Sequence, residues 1–124
     1  MKKILVVDDN KDILVVVQLV LELRGYDVKT IWQGEQTIQA VKDFTPDVVL
    51  LDIYLGTTNG IEICNEIKSN PETKNTCIIM FSAHGKTEEV LNQCPANAFI
   101  AKPFDVNELA EVINREMDSV NDLK

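Results

Sequence analysis

Positive charge is what this chain has least of. Twelve Lys and Arg face twenty Asp and Glu in 124 residues, a formal net charge of −8. A basic face able to displace counterions from phosphates is missing, so no direct nucleic-acid partner is expected. Cysteine is sparse and odd in number: Cys64, Cys77 and Cys94 include no close pair in sequence. A disulfide framework or zinc site is not expected, and reduced buried thiols are. No apolar run approaches the roughly 20 residues that cross a bilayer. Lys2 and Lys3 precede only Ile4–Val7 before two aspartates, too short a run for a signal peptide. No membrane partner is expected, and the expected location is cytoplasmic. No linker, low-complexity tract or repeat divides the chain, and its length suits one core.

What is present is a set of short, continuous apolar runs. Lys3–Val7, Val48–Leu51 and Cys77–Phe81 have no polar alternation, as expected of parallel strands buried on both faces. Asp27–Ile31 and Ala98–Ala101 complete five strands. Helices are expected between them over Ile13–Leu23, Gly34–Asp43, Gly60–Lys68 and Thr87–Asn92, with a last one from Val106 to about Met117. Gly25 closes the first helix, Asn10 or Asp12 can cap its start, and Pro71 stops the third. Strand then helix, five times over, gives an α/β fold with helices on both sheet faces and right-handed crossovers.

The polar residues follow the strands. Asp8 and Asp9 follow the first, Asp52 ends the third, Ser82 follows the fourth and Lys102 the fifth. In a parallel sheet these ends share one edge, the edge where ligands bind. Three carboxylates held together repel each other and take up protons unless a cation neutralises them. Mg²⁺ suits such a set, binding through one or two carboxylates plus a phosphate oxygen. Adding an ammonium and a hydroxyl donor makes a site for a phosphoryl group carried on a carboxylate. Capping alone could explain one of the paired acids, but not two beside Asp52.

With these residues in place the chain resembles a response-regulator receiver domain of two-component signalling, over essentially its whole length. The matching features are Asp8-Asp9, Asp52 behind its apolar strand, Gly60, Ser82-Ala83 and Lys102-Pro103-Phe104. The resemblance implies a flavodoxin-like (βα)5 three-layer sandwich with a parallel five-stranded sheet of order 2-1-3-4-5. It implies that Asp52 accepts a phosphoryl group from a histidine kinase or phosphotransfer protein. Asp8, Asp9, Asp52 and the Tyr54 carbonyl would then serve Mg²⁺, Asp8 largely through water. Lys102 and Ser82 would contact phosphoryl oxygens, and Ser82 and Phe99 would form the switch. A cis Lys102-Pro103 bond belongs to the same pattern. The whole chain, 1–124, is expected to be one receiver domain without an output domain. Its signal would leave through a downstream protein target or onward phosphotransfer, as a monomer or a phosphorylation-dependent dimer.

Several features depart from the family pattern. Gly56 stands where many receivers carry Pro, so the loop after Asp52 is expected to be more flexible than usual. Cys94-Pro95 replaces a small turn, shortening the fourth helix. Bulky Tyr54 is expected to shield the phosphoryl group from water. His84, the one histidine, is given no role in donating phosphate. In the first helix Ile13, Val16, Val17, Val20 and Leu21 are the expected inner face, which leaves Val15, Leu19 and Leu23 towards solvent. Other readings fit less well. An interaction module that is never phosphorylated has no use for the complete Asp8, Asp9, Asp52, Ser82 and Lys102 set. A phosphatase acting on external substrates would want a second acid where Tyr54 stands. A flavin carrier would want a Ser/Thr/Gly-rich loop after the first strand.

Overall fold

A computed structural model describes residues 2–56, 58–82 and 92–122, with side chains up to 118. Five strands, β1 (Lys3–Val7), β2 (Asp27–Ile31), β3 (Val48–Asp52), β4 (Cys77–Ser82) and β5 (Ala98–Ala101), form one sheet. Its order is β2-β1-β3-β4-β5 and every pairing is parallel. This is the flavodoxin-like arrangement expected from the sequence. Helices α1 (Lys11–Leu23), α2 (Thr37–Phe44), α3 (Gly60–Ser69) and α4 (Val106–Asp122) cover it. The helix expected at 87–92 lies, Asn92 aside, outside the described residues, as do Ala83 and His84.

The continuous apolar strands are resolved by the pleat into two cores. Ile4, Val6, Val48, Leu50, Ile79, Phe81 and Ile100 pack with α1 and α4. Leu5, Val7, Val49, Leu51, Ile78 and Met80 pack with α2 and α3. Alternate side chains of a strand point to opposite faces, so a strand covered on both sides is apolar at every position.

Local chemistry sets the helix ends. The Asn10 side chain accepts from the backbone N–H of Asp12 and Ile13, and so caps α1. Asn59 does the same for α3 through Ile61 N–H at 2.7 Å. The second helix opens with a tight 3₁₀ turn at Gly34–Gln36 before α2 proper.

One expectation needs correction, and one pairing had no signal in the sequence. The inner line of α1 is Leu14, Val17 and Leu21, whereas Val16 is exposed and Ile13 and Val20 are only partly buried. A helix that is apolar nearly all round has no polar face to fix its rotation, so contacts with Ile4, Val6 and Val28 decide it. The stretch after Asp52 carries a short antiparallel pairing of Tyr54 with Asn59 and Leu55 with Thr58. Thr58 Oγ1 donates to Glu35 Oε1 at 3.1 Å, tying that stretch to the entry of α2. Gly56 sits in the left-handed region at φ 71°, where proline, locked near −65°, cannot follow.

Candidate functional site

The C-terminal edge of the sheet gathers the residues that the sequence placed there. β1 delivers Asp8, which is completely buried, and its N–H donates to the Ile31 carbonyl at 3.1 Å. Asp8 Oδ1 accepts from Asn10 N–H at 2.8 Å, so the turn into α1 is built on this carboxylate. Asp9, beside it, is exposed. β3 delivers Asp52, only 5% exposed at the tip of a strand whose other residues are fully apolar. Carboxylate oxygens of Asp8, Asp9 and Asp52 lie within 4.8 Å of one another.

Lys102 answers part of this charge. Its Nζ lies 2.6 Å from Asp8 Oδ2 and 3.3 Å from Asp52 Oδ2. The ammonium also sits 4.6 Å from the centre of the Phe81 ring, which in turn packs edge-on against Phe104. The Lys102 N–H donates to the Ser82 carbonyl at 3.0 Å, so β4 and β5 hold the lysine backbone in place. Ser82 itself is buried at the end of β4, in register with Ala101. The Lys102-Pro103 peptide is cis, as the resemblance implied.

Electrostatics single out Asp52. Burial first, and the Asp8 carboxylate second, push its pKa up from 3.8 to about 6. Lys102 and the Tyr54 backbone N–H pull the other way without prevailing. Among the described residues three carboxylates share one ammonium. A hard divalent cation such as Mg²⁺ suits that donor set, which is all carboxylate oxygen, with one member solvent-facing. Here the residues present fit the ion.

Of the other residues singled out in the sequence, Tyr54 is half exposed, two residues past Asp52. No ion pair or hydrogen bond between Phe99 and the acids is seen among the described residues. Phe99 pairs in register with Met80 and packs, partly buried, against the core under α2 and α3.

One residue of the site escaped the sequence reading of roles. Gly60, the first residue of α3, donates its N–H to the Ile53 carbonyl at 2.7 Å. A methyl group placed on it would lie 2.0 Å from the Asp52 carbonyl oxygen and 2.9 Å from its carbon. The helix thus rests directly on the backbone of Asp52. The available hint was a glycine just inside a helix start, directly after an Asn cap, where alanine is the better helix former.

Comparison with known proteins agrees with this geometry. Residues 4–114 match the family described as response regulator receiver domain. The phosphate regulon transcriptional regulatory protein PhoB of Rhizobium meliloti is 34% identical over 109 residues, 86% of this chain and 48% of that protein. The response regulator ArlR of Staphylococcus saprophyticus is 35% identical over 111 residues, 88% of this chain and 49% of its own. The chain thus spans about half the length of these curated relatives. Among solved structures, a CheY-like receiver domain protein from Methanospirillum hungatei superposes with a TM-score of 0.92 at 25% identity, covering 100% of this chain and 99% of that one. The chemotaxis response regulator CheY4 of Vibrio cholerae gives 0.86 at 25% identity, covering 94% and 98%. By sequence, by strand order and by the acids at its sheet edge, this chain belongs to the response regulator receiver domain family.

Proposed function

We propose that Asp52 is the phosphoacceptor of a receiver that is switched by a histidine kinase or phosphotransfer protein. The observation that carries this reading is the buried Asp52 carboxylate, held against Lys102 and beside two further acids. An Asp52 oxygen would attack the phosphorus of a phosphohistidine. The P–N bond would break, its electron pair going to the imidazole nitrogen. Bound at Asp8, Asp9, Asp52 and the Tyr54 carbonyl, Mg²⁺ would neutralise charge on the transferring phosphoryl group. Lys102 would pass from its present carboxylate partners to a phosphoryl oxygen, with Ser82 supplying a hydroxyl from β4. The added charge, up to about −2, would shift a two-state equilibrium towards the form that binds a downstream protein. Ser82 and Phe99, joined through the β4–β5 ladder, would carry that shift. Such a receiver promotes its own phosphorylation and dephosphorylation and turns over no external substrate. Among the described residues no helix is long and apolar enough to cross a membrane.

The test is incubation with Mg²⁺ and acetyl phosphate, followed by intact-mass measurement. One phosphoryl adduct is expected, labile in alkali, lost on chelation of Mg²⁺ and absent in Asp52→Asn. If no Asp52-dependent adduct forms, a receiver-fold interaction module that works without phosphorylation becomes the better reading.

Two further outcomes follow from what surrounds the acceptor. Val15, Val16, Leu19 and Leu23 are all more than half exposed on α1, the helix whose start is built on Asp8. An apolar row running away from the rim of the site suits a protein donor, which must bring its phosphohistidine to Asp52. Leu19→Glu should slow phosphotransfer from a cognate protein by roughly tenfold or more, the effect of losing about 1.4 kcal/mol of binding. Labelling by acetyl phosphate should not change. Equal losses in both assays would mean damage to the fold rather than to docking. Tyr54, half exposed beside the acceptor, is expected to keep water from the phosphoryl group. Tyr54→Asn should shorten the lifetime of the phosphorylated form several-fold, measured as loss of the adduct after the donor is removed. An unchanged or longer lifetime would rule out the shielding role.

A further inference from the structure

A second chemically capable cluster lies under α3, away from the acids. Cys64 on α3 is fully buried and Cys94, on the chain leading to β5, is 3% exposed. Both belong to the core between the sheet and α2/α3, and the Cys94 thiol lies near enough to help push the pKa of Cys64 up. The neighbouring residues hold the same two segments together, since Asn65 Nδ2 donates to the Gln93 carbonyl at 3.0 Å. The ammonium of Lys68 is close enough to favour the thiolates of Cys64 and of Cys77 alike, so it does not single out the pair. That ammonium is fixed in place by the Thr76 carbonyl at 2.7 Å and Asn97 Oδ1 at 2.8 Å. Two sulfurs distant in sequence and brought close in space meet the first geometric requirement for a disulfide between them.

We propose that Cys64 and Cys94 are an oxidisable dithiol, converted by a hydroperoxide into an intramolecular disulfide that ties α3 to the chain entering β5. One thiolate attacks the peroxide, the O–O bond breaks and the departing oxygen is protonated to water or an alcohol. The resulting sulfenic acid is attacked by the second sulfur, its S–O bond breaks, and water leaves. Two thiols together lose two electrons and two protons, and the peroxide gains them. The third cysteine takes no part. Cys77 lies across the sheet in the other core, 3.9 Å from Glu116 Oε2.

Burial sets the rate. It is the main cause pushing the Cys64 thiol up to about 12, so little thiolate exists at neutral pH and oxidation is slow. The disulfide would join the helix that rests on Asp52 to the chain leading into the strand that carries Phe99. This chemical claim stands apart from the phosphorylation reading, because it needs neither Asp52 nor Mg²⁺.

The test treats the reduced full chain with hydrogen peroxide at pH 7 and pH 8.5, then alkylates it in denaturant and maps the peptides. The expected product is a Cys64–Cys94 linked peptide lacking two hydrogens, with Cys77 alkylated. It should form faster at pH 8.5 and be reversed by a thiol reductant. The cross-link should raise the thermal midpoint by roughly 10 °C, since it removes conformational freedom from a long loop of the unfolded chain. Cys64→Ala and Cys94→Ala should each abolish the linked peptide. Three alkylated thiols in a sample whose methionines have been oxidised would overturn the proposal. A link through Cys77 or between two chains would overturn it as well. The wild-type chain carries the deciding readout, so a variant that folds poorly does not weaken the test.

Discussion

Gly60→Ala is expected to cost this domain several kcal/mol and to displace Asp52. Alanine in place of a helical glycine ordinarily stabilises, by about 1 kcal/mol, through helix propensity and a less free unfolded chain. Here the sign reverses. The new methyl would meet the Asp52 carbonyl oxygen at 2.0 Å and Ile53 Cα at 3.0 Å, and both belong to backbone of the sheet edge. No flexible side chain is available to yield. The start of α3 must move outward, losing the Gly60 N–H bond to Ile53 and straining the Asn59 cap. A loss of ~3 kcal/mol or more is the scale at which overpacking against rigid neighbours operates. Gly56→Ala provides the contrast. That position has φ 71° and nothing within 4 Å of an added methyl, so it should cost only the left-handed penalty, about 1–2 kcal/mol. Urea denaturation of both variants, with acetyl phosphate labelling of the folded fraction, measures the difference. Equal costs at the two glycines would show that α3 does not rest on Asp52 as described.

Lys102→Met should be almost as damaging, and its damage should depend on pH and on metal. The substitution keeps the length of the side chain and removes the charge that Asp8 and Asp52 share at 2.6 and 3.3 Å. Both carboxylates are buried, and removing one partner from a buried ion pair typically costs about 3–5 kcal/mol. The sign with pH follows from Asp52, whose pKa is raised from 3.8 to about 6 even with the lysine present. A carboxyl group raised in the folded state favours folding when protonated. Its contribution is complete below pH 3.8 and is lost as pH rises through 6. Without the lysine the pKa of Asp52 rises further, so the deficit of the variant should be largest at pH 7 and shrink towards pH 5. Millimolar Mg²⁺ should restore much of the stability at pH 7 by replacing the missing positive charge. It should not restore the proposed response to phosphorylation, in which the Lys102 ammonium, just after β5, would meet a phosphoryl oxygen. Thermal melts at pH 5 and 7, with and without Mg²⁺, test the first part. A deficit independent of both would mean that Lys102 acts through packing on Phe81 rather than through charge.

The sequence was most legible where one kind of physics decides. Val48–Leu51 reads as a strand covered on both faces, and four strands with polar tips mark the edge on which Asp8, Asp9, Asp52, Ser82 and Lys102 lie. What could not be read depended on contacts between distant segments. The rotation of α1 is one case: Leu14 rather than Val16 turns inward, because a helix apolar on all sides takes its orientation from the sheet beneath it. The pairing at Tyr54–Asn59 is another, since two-residue strands are too short for any periodic signal and hang on Thr58 reaching Glu35. The third is Gly60, whose role is set by a carbonyl eight residues earlier that passes close by. The nearness of Cys64 and Cys94 was invisible for the same reason, twenty-nine residues of intervening chain concealing the neighbours.

The division of the sheet into two cores has a bearing on how such a domain changes over time. Each strand residue answers to one layer only, so Leu50 and Leu51, adjacent in sequence, are fitted against different helices. A substitution in one layer leaves the other undisturbed and can be offset by its own neighbours. The polar residues stand at the strand tips, outside both layers, so interior volume can drift without moving a carboxylate. Relatives can then lose most of their identical residues and keep their backbone, as in the neighbour that shares 25% identity at a TM-score of 0.92.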